Sequence, residues 1–202
     1  MRSPAKTDIK NKLTPLHEIT NDSIEFMLDM RTAFIYNKLG PMERFKLMAE
    51  EYEKEIGYLS MIIREAASSS EGMRPYIKVT AHLMNIWRNL INLHDLIDKK
   101  IRENILFSDK GVNETTYLIQ RLAEILRPAA DMVLARNTFL KRYIEESQAD
   151  IEKNAAEYAT FHETRLITGE CSPVASSLYL GMLEAIKNIA WNTKEMAAVL
   201  GK

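Results

Sequence analysis

Glu184, Asn188, Asn192 and Glu195 recur four, four and three residues apart, so in a helix these polar side chains share one face. Leu183, Ile186, Ala190, Thr193, Ala197 and Leu200 alternate by three and four and form the opposing stripe. Oxygen-bearing side chains one turn apart face the same way and suit a hard or borderline cation; with no cation, the pattern is an ordinary solvated face. His94 adjoins Asp95. Neighbouring helical residues point about 100° apart, so the expected role of His94 is a hydrogen-bonded core residue rather than a base held by that carboxylate. For His162, ahead of a turn, an interhelical hydrogen bond or cap is expected. Cys171 has no basic neighbour in sequence and reads as a small, partly buried corner residue. The chain has no Gly-rich phosphate loop, no H-E-x-x-H, no nucleophile elbow and no E-x-x-H pair. Enzymatic activity is therefore not expected.

The elements that would position these residues are helices. Of 202 residues, 46% are hydrophobic, 7 are Gly, 6 are Pro and 11 are Met, a composition for long helices with few enforced turns. Methionines at seam positions read as core filler. Gly169 can take positive φ after a helix, and Ser172-Pro173 supplies an N-cap hydroxyl followed by a residue suited to the first helical position. Together they predict a helical hairpin corner. Residues 1–12 show scattered positive charge without apolar periodicity and read as a tail. A first helix is expected from Pro15, or from Asp22 with Glu25 as a capping box, ending at Gly40-Pro41. A second is expected over about 42–67, and a third over about 75–106. Thr80, Leu83, Trp87, Leu90, His94, Ile97 and Ile101 give the third a sustained seam and a central place. Residues 108–113 read as the boundary between halves. A fourth helix is expected over about 114–136 with a kink at Pro128, and a fifth runs from an Asn137 cap to about Ile167. The sixth follows the corner.

The halves read as two copies of one unit, about 15–107 and 113–201, within a single domain spanning 1–202. Ile56 precedes Asp95 by about as many residues as Ile151 precedes Asn188, and each isoleucine follows a carboxylate, Glu55 or Asp150. With 27 Lys and Arg against 28 Asp and Glu, the net charge of -1 gives no global pull toward nucleic acid. One cysteine, no signal sequence and no apolar run of about 18–20 residues predict a cytoplasmic chain, free or peripheral to the inner face of a membrane.

The pattern H-x-x-R-L-x-x-G-x-C-S-P at His162, Arg165, Leu166, Gly169, Cys171, Ser172 and Pro173 is followed by Y-L-x-x-L at Tyr179, Leu180 and Leu183. Glu184, Ile186, Ala190, Asn192 and Glu195 then fit an E-R-I-G-D-H-A-x-N-I-A-E pattern, with Asn188 where its aspartate stands. This combination resembles the PhoU family, most closely the PhoU-like cytoplasmic domain at the end of bacterial sodium/phosphate cotransporters.

The resemblance implies an all-α, elongated up-and-down six-helix bundle of two three-helix repeats. It also implies E/D-x-x-x-D pairs on the long helices that hold a divalent or iron-type metal. Here each pair has lost a member. Glu53 stands with Gly57, Asp95 with Ile91, Glu152 with Gln148, and Glu184 with Asn188. The surviving candidate ligands are Glu53, Asp95, Glu152 and Glu184, which would have to assemble across helices, and Asp95 has Lys99 one turn on as a surface partner. The function implied is a non-enzymatic regulatory or accessory module of phosphate transport and homeostasis. It would dock on a membrane phosphate transporter or its sensor kinase, with homodimer formation left open. The competing readings are a divergent metal-binding bundle without a transport role, and a scaffold whose metal site has decayed.

Overall fold

The three-and-four periodicity breaks five times, and the chain turns at each break. The computed structural model describes the backbone of residues 4–201 and the side chains of residues 13–201. Among these, six α-helices and no strand are found: α1 (Pro4–Tyr36), α2 (Glu43–Ser69), α3 (Arg74–Arg102), α4 (Asp109–Leu134), α5 (Thr138–Ile167) and α6 (Pro173–Leu200). Single 3-10 turns at Gly40–Met42 and Glu71–Met73 lead into α2 and α3. The protein is an all-α six-helix bundle.

Caps set the later starts. Asn137 accepts from the Phe139 and Leu140 amides and opens α5, and Ser172 accepts from the Ala175 amide and opens α6. Gly169 sits at φ +76°, the left-handed conformation that ends α5 cleanly. The fourth helix starts earlier than its periodicity suggests. Ser108 accepts from the Gly111 amide and Asp109 lies in the first turn, so the stretch read as a boundary is the beginning of α4; the connector is 103–108. Pro128 does not break α4, whose buried residues Leu126, Ala129, Ala130 and Val133 continue across it.

The first helix also differs from expectation. It begins at Pro4 and passes through Pro15, so neither Pro15 nor Asp22 is a helix start. Leu13, Leu16 and Ile19 are buried on either side of the proline, and their packing offsets the one helical hydrogen bond that its ring removes. The Asp22 carboxylate accepts from the Tyr52 hydroxyl instead of capping. Residues 1–3 of the expected tail, and the side chains up to Lys12, lie outside the described residues.

α3 packs on α2, α6 and α1, and its predicted seam from Thr80 to Ile97 is buried. The most extensive pairs are α3 with α6 and α1 with α4, while α2 lies on α3 as α5 lies on α6. Ile56 on α2 and Ile151 on α5 are both fully buried. Gly181 lets α6 approach α3, since a Cβ there would stand 3.2 Å from the Leu96 side chain. In the first unit the core is aromatic: Trp87 stacks on Phe45 at 5.8 Å and lies 4.7 Å from Tyr52, with Phe26 edge-on.

Candidate functional site

Of the four carboxylates left from the acidic pairs, Glu53 on α2 and Asp95 on α3 line one groove of about 270 Å³, together with Glu50, His94 and Asp98. This is the cross-helix meeting the sequence allowed for. Each carboxylate is nevertheless answered by the chain itself. Glu53 faces Arg88 Nε at 3.8 Å, and Asp95 Oδ1 lies 3.0 Å from His94 Nδ1. Lys46 lines the same groove, placing a side-chain cation beside these acids.

The His94–Asp95 contact corrects the expectation that neighbouring residues would not pair, and Lys99 is not the partner of Asp95. The imidazole is 5% exposed and held 5.1 Å from the Phe45 ring, whereas the Asp95 side chain is free in solvent and folds back onto it.

On α5 and α6 the residue one turn from the acid is an amide that donates to it. Gln148 Nε2 donates to Glu152 at 2.8 Å, and Asn188 Nδ2 donates to Glu184 at 3.4 Å, where Lys187 also binds at 3.1 Å. A side-chain amide one turn away thus meets the carboxylate with N–H where a second acid would have shared a metal. Among the described residues no three His, Cys, Asp or Glu side chains come together to hold an ion. The residues present do not fit the metal cluster that the acidic-pair pattern implies.

The polar face of α6 is not uniform. Glu184 is exposed and Glu195 is half-buried beside Lys194, but Asn192 is 5% exposed and turned onto α3. Its Oδ1 accepts from Asn85 Nδ2 at 3.4 Å and lies 3.0 Å from His82 Nδ1, and its Nδ2 donates to the Asn188 carbonyl at 2.8 Å. With its oxygen met by two α3 side chains, Asn192 serves the helix interface, not a solvent-facing ligand set. His82 and Asn85 were not singled out by sequence, because nothing in their local spacing points to a residue 107 or more positions away.

The α5–α6 corner holds a buried polar network. Arg165 and Glu114 form two hydrogen bonds, and the Tyr179 hydroxyl donates to Glu114 Oε2 at 2.6 Å. Burial and the adjacent carboxylate hold the Tyr179 proton in place and push its pKa far up. His162 stacks on Tyr179 at 4.5 Å and meets Ser176 Oγ through Nε2 at 2.8 Å. Burial, then the Arg165 guanidinium, push its pKa below the ordinary 6.5, so the imidazole is neutral at pH 7. This is the interhelical hydrogen bond expected of His162, and the motif residues form one folded unit. Glu114 was missed as a member, since its partners lie 51 and 65 residues away.

Above this network a cavity of about 560 Å³ opens between the 103–108 connector and the corner, lined by Glu103, Phe107, His162, Glu170, Cys171 and Tyr179 among others. Cys171 is half-buried there. Among the described residues, no helix is long and apolar enough to cross a membrane. No family model matches the chain, and no curated protein matches it.

Proposed function

We propose that the chain is a non-enzymatic regulatory or accessory module of phosphate transport, acting by docking on a membrane phosphate transporter or its sensor kinase without a bound metal. The observation that carries this reading is the corner. The residues His162, Arg165, Gly169, Ser172, Pro173 and Tyr179, which resemble the PhoU pattern, lie together as a turn, two caps and a buried network at one end of a six-helix bundle. A pattern that folds into one unit is better support than the same residues scattered over the surface. The in-chain partners of Glu53, Asp95, Glu152 and Glu184 favour docking without a metal over the metal-binding reading. Docking would then act by differential affinity for two states of the partner.

The test is phosphate uptake by cells of the source organism lacking this chain, in phosphate-rich and phosphate-poor medium, with and without a plasmid copy. The expected result is an altered uptake rate that the plasmid copy restores. Uptake that is unchanged in both media would sink the reading.

A further inference from the structure

We propose that the corner cavity is the docking site for a basic loop of a membrane protein, in which a lysine or arginine enters the cavity and an adjoining apolar residue packs on its rim. This rests on the docking reading above and gives the partner segment a chemistry.

The size is right. A volume of about 560 Å³ is in the range that holds a small ligand or one or two large side chains. The charge has one sign. Glu103 and Glu170 line the cavity, no Lys or Arg does, and His162 is neutral. Two cations stand behind the lining, and each has a partner in the chain: Arg165 is paired with Glu114 and lies 5.8 Å from the Tyr179 ring, and Lys100 donates to Asn37 Oδ1 at 2.7 Å and lies over the Phe34 and Phe107 rings. Glu170 also accepts from the Thr168 hydroxyl at 3.2 Å, which leaves its second oxygen available. The N-terminus of α6 contributes a partial positive charge at one side of the cavity, but Glu103 stands where the carbonyl end of α3 adds a partial negative one.

The rim is apolar and unusually open. Leu106 is 74% exposed and Val174 is 54% exposed, and both line the cavity; Ile167, on the same corner, is 87% exposed. Exposed aliphatic residues around an acidic hollow suit a protein surface better than a free amine, which would leave them in water. Glu103 and Glu170 repel an anionic lipid surface, which disfavours a membrane as the occupant. Loops at the inner face of a membrane are rich in Lys and Arg, the complementary charge.

Cys171 is the only cysteine in the chain and lines the cavity, so its alkylation reports occupancy. The experiment measures the rate of labelling by iodoacetamide with a short synthetic peptide carrying two arginines around a leucine, with the same peptide carrying glutamates, and with spermine. The arginine peptide should slow labelling saturably, and the other two should not. Glu103→Gln with Glu170→Gln should weaken that protection about tenfold while circular dichroism is unchanged. Equal protection by the glutamate peptide or by spermine, no protection at all, or protection indifferent to the double variant would overturn the proposal. If the arginine peptide protects while phosphate uptake does not depend on the chain, the cavity assignment stands and the transport reading falls; an uptake effect without protection means the reverse.

Discussion

Arg165 grips Glu114 with two parallel hydrogen bonds, Nη1 to Oε1 at 2.9 Å and Nη2 to Oε2 at 2.6 Å, joining the end of α5 to the start of α4. The side chains are only 6% and 12% exposed. The pair therefore sits where removing one partner strands the other. Arg165→Ala or Glu114→Ala should each lower stability by about 3–5 kcal/mol in urea denaturation, and the double change to Leu should recover part of that loss. Losses below about 1 kcal/mol in the single variants, as for an exposed pair, would show that the network is ornamental.

The histidine beside this pair should make stability depend on pH. The folded-state pKa of His162 lies below its unfolded value of 6.5, so between the two the unfolded chain binds more protons. The contribution is fully present above 6.5 and is lost as pH falls from there through the folded value. His162→Gln should therefore show a shallower fall in urea midpoint between about pH 7.5 and pH 5.5 than the parent chain. Parallel profiles for the two proteins would mean that His162 does not titrate as its burial requires.

The four carboxylates make a separate prediction about metal. Since Glu53, Asp95, Glu152 and Glu184 each have a partner in the chain, protein purified without chelator or affinity nickel should carry no stoichiometric iron, zinc or manganese. Adding these ions should leave the melting temperature unchanged. Elemental analysis that found one metal per chain, falling in Glu152→Ala with Glu184→Ala, would show that the ligands assemble after all.

What could be read from sequence was local. Gly169, Ser172-Pro173 and Asn137 mark their turns because the physics of a cap needs only a few neighbouring residues. The seam of α3 could be read because periodicity accumulates over many turns. Ser108 was hidden by Gly111 and Asn113, which argue against a helix until the serine cap is recognised, and Pro15 was hidden because tertiary burial outweighs its lost hydrogen bond. The acidic pairs were visible as spacings, but not the meaning of their replacements. Gln148 and Asn188 looked like missing ligands and are donors to the acids that remain. Glu114 and Arg88 could not be placed at all, since their partners come from other helices.

The most direct test of the account is binding of the purified chain to the purified phosphate transporter of its own organism in nanodiscs, measured in excess EDTA. Binding should be saturable and unweakened by the chelator. Binding that disappears in EDTA and returns with iron, zinc or manganese, or no binding under either condition, would contradict it.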